Sequence, residues 1–235
     1  MSDYFTFNGT DSRTYNIWLF EQNTFGAPAR YYEPMEVPGM NGMLLIDGKK
    51  YANTLHEYNC VIYDNYENQL NAFRNFLMSQ VGYKRLQDTL HSDEFYLAYY
   101  DSDFVTTMKP DRTKGYFTLS FNRKPQRFLT SGEAVTTLTS SGSISNPTLF
   151  PSKPFLRVYG TGTLGIGSNA ITITQADTYT DIDCELMEAY KGAVSCNNLI
   201  QIQNNDFPVL NPGSNGITLG TGITKVEITP RWFRL

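Results

Sequence analysis

The chain has 235 residues, enough for two ordinary domains or one large one, and it contains 16 Tyr, 15 Phe, 18 Gly and 11 Pro, a mixture that favours half-buried pleated surfaces broken by turns over long amphipathic helices. Nineteen basic against 23 acidic side chains leave a net charge of −4, which supplies no chain-wide attraction to nucleic acid or to an anionic membrane surface. The longest aliphatic run, Met43-Leu44-Leu45-Ile46, falls far short of the roughly 20 residues that cross a bilayer, so membrane insertion is not expected.

Residues 1–25 scatter Asp3, Asp11, Arg13 and Glu21 among aromatics, with neither the basic start nor the apolar block of a secretory signal. Synthesis in a cytosol follows, and the sequon Asn8-Gly9-Thr10 then has no secretory context. The runs 58–63, 94–100 and 115–121 read as strands. In the last, Phe117, Leu119 and Phe121 alternate with Tyr116, Thr118 and Ser120, the period-2 pattern of a half-buried strand. Between the first two, Leu70, Phe73, Phe76, Leu77 and Val81 recur at spacings of three and four, which predicts one helix over about 65–81. Asp64 is placed to cap its start with Glu67 three residues on, and Gly82 to take the left-handed conformation that ends it.

From Thr130-Ser131-Gly132-Glu133 to Ser145-Asn146-Pro147, Ser, Thr and Gly dominate, so a domain of residues 1–130, a linker of 131–145 and a second domain of 146–235 are expected. In the second domain, β-rich runs at 155–159, 170–174, 180–186, 199–202 and 224–228 alternate with Gly, Asn and Pro clusters, the spacing of an antiparallel sandwich.

Chemistry-bearing patterns are few. Gly160-Thr161-Gly162-Thr163-Leu164-Gly165 matches the dinucleotide fingerprint and follows a strand-like run, but a strand at 170–174 follows it where a Rossmann unit needs a helix. A hairpin is expected instead. Asp181, Asp183 and Glu185 alternate with Ile182, Cys184 and Leu186, so the carboxylates share a strand face at roughly 7 Å per two residues. An inverting glycosidase leaves a similar gap for water, yet an apolar inner face also requires a polar outer one, and a solvated face is the expectation. His56 and His91 are the only histidines. His91 has Asp93 and Glu94 nearby, a weak metal set that reads as a surface loop. Asp101 and Asp103 read as a turn or a strand end. Cys60, Cys184 and Cys196 are odd in number and lack C-x-x-C spacing, which points to buried reduced thiols. No nucleophile elbow, Walker lysine pattern, His-Glu-x-x-His or calcium loop is present, so neither catalytic, cofactor nor metal residues are assigned.

Several segments together resemble the distal tail (Dit) family of siphophages, the hub of the tail tip or baseplate. They are Phe7-Asn8-Gly9 with Asp11-Ser12, Pro38-Gly39-Met40-Asn41-Gly42, 82–89, and 121–129 with its Arg123-Lys124-Pro125-Gln126. Beyond 145 come Asn146-Pro147-Thr148, Ser152-Lys153-Pro154, 179–190 with Ile182-Asp183-Cys184-Glu185, Phe207-Pro208-Val209-Leu210 and the closing Pro230-Arg231-Trp232-Phe233-Arg234-Leu235.

The resemblance implies a mainly β fold, with an N-terminal β-sandwich-like domain bearing one helix and a long hairpin, and a C-terminal galectin-like β-sandwich. It implies a structural, non-enzymatic virion protein at the tail tip, made in the bacterial host cytoplasm. Copies would form a homohexameric ring between the tail tube protein and the tail-associated lysin, tail fibre or receptor-binding protein that serves host adsorption, with no cofactor and no nucleic acid partner. A ring needs two different complementary patches on each copy; the helix and Arg123-Lys124-Pro125-Gln126 are candidates, and so is plain internal packing for both. Galectin-type sugar binding uses His, Asn, Arg and Trp, whereas the second domain has no His and only Trp232, so host recognition is expected to fall to other tail proteins. Two alternatives remain: a carbohydrate-binding module of a cell-wall-binding protein, and a glycan-cleaving enzyme using Asp181 and Asp183.

Overall fold

The computed structural model describes residues 3–20, 26–63, 66–108 and 113–235. Two compact units divide the chain, Met1–Arg127 with Leu235, and Phe128–Arg234.

The first unit holds β1 (Phe5–Phe7), β2 (Thr10–Asp11), β3 (Ile17–Leu19), β4 (Arg30–Glu36), β5 (Met43–Tyr51), β6 (Thr54–Tyr63), α1 (Tyr66–Ser79), β7 (Lys84–Asp88), β8 (Glu94–Tyr100), β9 (Thr107–Met108) and β10 (Lys114–Arg123). An antiparallel sheet runs in the order β2-β1-β7-β8-β10-β6-β3, with β9 added to β10. Its first turn is Asn8-Gly9, both with positive φ (47° and 77°), the two-residue hairpin whose twist matches that of its strands. The sheet curls until its two ends meet, for the Leu19 amide donates to the Asp3 carbonyl at 2.8 Å. Curling lets both limbs line one aromatic core. Phe5 stacks on Tyr58 at 5.2 Å and Phe7 lies 4.9 Å from Phe121.

On β10 the alternation holds: Phe117, Leu119 and Phe121 are buried, while Tyr116, Thr118 and Ser120 are not. Helix α1 delivers Leu70, Phe73 and Leu77 to the same core, each fully buried apolar side chain contributing about 1.5–3 kcal/mol. The expected Asp64 cap lies outside the described residues. Val81 departs from the expectation: the helix ends at Ser79, and Val81 is 83% exposed. The reason is local, because Ser79 Oγ and Gln80 Nε2 both donate to the Phe76 carbonyl, at 2.7 and 3.1 Å, satisfying a terminal acceptor and turning the chain off the helical path. Gly82 is left-handed, at φ 72°, three positions past the helix.

The second unit adds β11 (Arg127–Leu129), β12 (Thr136–Leu138), β13 (Gly142–Asn146), β14 (Phe155–Gly160), β15 (Gly162–Ile166), β16 (Asn169–Ile173), β17 (Tyr179–Asp183), β18 (Glu188–Lys191), β19 (Val194–Ser195), β20 (Ile200–Ile202), β21 (Gly213–Leu219), β22 (Ile223–Thr229) and β23 (Phe233–Arg234). β12-β22-β14-β17-β18-β19 form one antiparallel sheet and β13-β21-β15-β16-β20 another. Leu156, Val158, Ile182, Val226 and Ile228 from the first share one core with Leu164, Ile166, Ile171, Ile173 and Ile217 from the second. This is a two-sheet sandwich.

Residues 131–145 differ from the expected linker. They hold β12 and most of β13, which pair with β22 and β21. Both are edge strands, so each needs only one or two inward apolar residues, and Leu138 and Ile144 provide them. The Ser/Thr/Gly composition that reads as a seam is the composition of a strand with one wet side.

Candidate assembly surface

The strands β4 and β5 form a separate two-stranded hairpin. Its tip is Pro38-Gly39, with Gly39 at φ 81° and the Met40 amide donating to the Val37 carbonyl at 3.1 Å, the arrangement of a type II turn. Near its base, a register shift between Arg30 and Tyr32 lets the Tyr31 ring lie over Gly48, where an added Cβ would stand 2.4 Å from Tyr31 Cδ1. The Arg30 guanidinium pairs with Asp47 and holds that carboxyl below its ordinary pKa range.

Register decides which side chains share a face. Pro34 opposite Leu45 and Glu36 opposite Met43 lie on one, while Glu33 opposite Ile46 and Met35 opposite Leu44 lie on the other. Both faces are therefore apolar, and both are in water: Leu45 is 58% exposed, Met43 53% and Leu44 45%. A lone two-stranded hairpin is marginal in water, and a contiguous exposed apolar surface marks an interaction site. The sequence signal was the aliphatic run 43–46 itself. It is too short for a membrane, but in a two-stranded ribbon consecutive aliphatic residues grease both sides.

The patterns singled out in the sequence are structural. Asp181 and Asp183 are nearly inaccessible rather than solvated. Arg157 binds Asp181 through Nε at 2.7 Å and Nη2 at 3.0 Å, Arg231 binds Asp183 through two nitrogens at 2.7 and 2.8 Å, and Lys153 faces Glu185 at 3.5 Å. Burial alone would raise the Asp183 pKa, but the hydrogen bonds from Arg231 and from the Leu186 and Glu185 amides outweigh it and hold the carboxyl below its ordinary range. A carboxylate clamped this way is a poor general acid.

Gly160-Thr161-Gly162 is neither a nucleotide loop nor a hairpin. β14 and β15 belong to different sheets, so it is a crossover, and it runs against a second crossover with the same three residues, Gly220-Thr221-Gly222. A Cβ at Gly160 would fall 2.1 Å from the Gly222 carbonyl oxygen, and one at Gly162 would fall 2.4 Å from that of Thr221. The glycines exist for this backbone contact.

Around Asp88, the Tyr58 hydroxyl donates to Oδ2 at 2.6 Å and the His91 amide to Oδ1 at 2.8 Å, while His56 Nε2 stands 3.8 Å from Oδ2. Burial lowers the His56 pKa and pushes that of Tyr58 well up. With His56, Tyr58 and Asp88 all buried, this group is closed to substrate, and it serves as a polar pin in the core, with Asp88 held by the Tyr58 hydroxyl and the His91 amide. His56 is thus a core histidine, while His91 is half-buried beside Asp88. Asp101 and Asp103 lie in an irregular exposed stretch after β8. Arg123 is buried with its guanidinium 4.7 Å from the Tyr96 ring centre, and Leu70, Phe73 and Leu77 of α1 are spent on the core, so these side chains of the two candidate ring contacts are internal packing. Trp232 is buried in the sandwich core, unlike a sugar-stacking Trp. All three cysteines are buried and free, and burial drives the Cys184 pKa up to about 12. Among the described residues, no group of three or more His, Cys, Asp or Glu side chains is placed to hold a metal ion, and no helix is long and apolar enough to cross a membrane.

No protein-family model and no curated protein matches the chain. Solved structures do. The chain superposes on the Dit protein of phage SPP1, a paradigm of the hub adsorption apparatus of phages infecting Gram-positive bacteria, with a TM-score of 0.74 at 13% identity over 100% of both chains. It also matches a chain of the phage P2 baseplate in its calcium-activated conformation, with a TM-score of 0.50 at 10% identity over 97% of this chain and 98% of that one. The agreement with SPP1 Dit spans both units, the one-helix curled sheet with its hairpin and the sandwich. The chain has the fold of a phage distal tail protein.

Proposed function

We propose that the chain is a structural component of a phage tail tip, a distal tail protein whose copies close into a ring of six. The ring joins the tail tube protein on one side to the lysin, fibre or receptor-binding proteins of the tip on the other. The observation that carries this reading is the β4–β5 hairpin, apolar on both faces and exposed on both, standing on a Dit-like fold. A ribbon of that kind is stable only when something covers it, and an assembly of copies covers it. Catalysis is not part of the proposal, because the carboxylates nearest to a glycosidase spacing are each engaged by a basic side chain.

Negative-stain imaging and light scattering of the purified full chain test it. The expectation is ring-shaped particles with a mass six times that of the 26.7 kDa chain. A strict monomer at high concentration contradicts it.

A further inference from the structure

Asparagine followed by glycine brings a side-chain amide next to the least hindered of backbone nitrogens, because glycine has no Cβ to block the approach. The chain contains three such pairs, Asn8-Gly9, Asn41-Gly42 and Asn215-Gly216. Their local chemistry is the same, and the fold treats them differently.

Asn215 is buried within β21, opposite Ile144 of β13. Its Nδ2 donates to the Asn211 and Gly213 carbonyls at 2.8 and 3.0 Å, and its Oδ1 accepts from the Asn211 amide at 2.8 Å. Asn8 is exposed but pinned. It is left-handed at φ 47°, its Nδ2 donates to Gln80 Oε1 at 2.7 Å, and its backbone amide donates to the Arg85 carbonyl at 2.8 Å.

Asn41 carries none of these restraints. It follows the Pro38-Gly39 turn at the hairpin tip, and both it and Gly42 are exposed. Among the described residues its side chain makes no hydrogen bond and the Gly42 amide donates none. Gly42 has φ 86°, with nothing within 4 Å of the place a Cβ would take, so no packed neighbour opposes a rearrangement of the pair.

We propose that Asn41 is a site of spontaneous deamidation. Hydroxide removes the Gly42 amide proton, and that nitrogen forms a bond to Asn41 Cγ. The bond from Cγ to the side-chain nitrogen breaks, and the nitrogen takes a proton from water and leaves as ammonia. One water then opens the five-membered succinimide. Attack at Cγ gives aspartate; attack at the main-chain carbonyl gives isoaspartate, which carries an extra carbon in the backbone at the tip. No oxidant or reductant takes part. Each event replaces a neutral amide by a carboxylate, so the net charge of −4 becomes −5, on a hairpin half that already holds Glu33 and Glu36. The proposal needs only the exposure of the tip and does not depend on a ring.

Peptide mapping by mass spectrometry tests it on the full chain, kept at a dilution where light scattering reports single copies so that no assembly covers the tip. At mildly alkaline pH the Asn41 amide should be lost at least about tenfold faster than that of Asn8 or Asn215, which react only after their restraints open. The rate should rise in proportion to hydroxide, and fragmentation should find isoaspartate as well as aspartate at position 41. In urea sufficient to unfold the chain, the three pairs should react at similar rates, because only the fold separates them. Native loss at Asn41 no faster than at Asn8 or Asn215 overturns the proposal, and so does aspartate without isoaspartate, the product of direct hydrolysis. A ranking that persists unchanged in urea would overturn its structural basis.

Discussion

Charged side chains here act as fasteners. Arg231 adopts a left-handed backbone, at φ 58°, and spans from the closing segment to Asp183, while Ser152 Oγ donates to the neighbouring Pro230 carbonyl at 2.8 Å. Asn146 donates to the carbonyls of Phe150 and Leu210, both at 2.9 Å, and accepts from the Thr148 amide. Asp183→Asn should lower the stability of the second unit by about 3 kcal/mol at neutral pH, the low end for breaking a buried pair because Arg231 keeps a third of its side chain in water. The sign of its pH dependence follows from the lowered carboxyl. The stabilisation is fully present above the ordinary value of 3.8 and is lost as pH falls through the lower folded value. Urea unfolding followed from pH 7 to pH 3 should therefore show the gap between wild type and variant narrowing below about pH 4; a gap that stays constant would mean that the pair is not what Asp183 contributes. His56 acts in the same direction higher up. Its neutral form is favoured by burial, so its contribution is present above 6.5 and fades below.

Elements obey periodicity wherever a face is buried, and this is where the sequence was legible. The alternation on β10 and the three- and four-residue spacing of Leu70, Phe73 and Leu77 reappear as buried faces. Legibility failed where tertiary context overrides pattern. Strands β12 and β13 look like a linker because an edge strand needs few apolar residues, and Gly160-Thr161-Gly162 looks like a cofactor loop or hairpin because nothing local reveals that Gly220-Thr221-Gly222, sixty residues on, crosses against it. The carboxylates of β17 look solvated because their arginine partners are 24 and 48 residues away. Gly162→Ala tests the crossover directly. It adds a Cβ 2.4 Å from a carbonyl oxygen at φ 138°, and should cost about 3 kcal/mol. Gly167→Ala, at φ 59° but with nothing within 4 Å, should cost about 1 kcal/mol. Thermal unfolding ranks the two, and equal losses would remove the close-approach argument.

At the scale of the whole molecule, function sits in a surface, and surfaces leave weak traces in one sequence. The Dit resemblance named the architecture and implied an assembly, but it pointed to α1 and Arg123-Lys124-Pro125-Gln126, of which the α1 face and Arg123 turn inward. The hairpin that faces water on both sides was visible only as four aliphatic residues in a row, a pattern that also suits a buried strand. The central claim, that this ribbon exists to be covered by assembly, is tested most directly by native mass spectrometry of the full chain beside Leu44→Asp and Leu45→Asp. These adjacent residues lie on opposite faces of one ribbon, and both are exposed, so neither change should alter the stability of the isolated chain by more than about 0.5 kcal/mol. The account predicts six-copy particles for wild type and monomers for both variants; six-copy particles from both variants would contradict it.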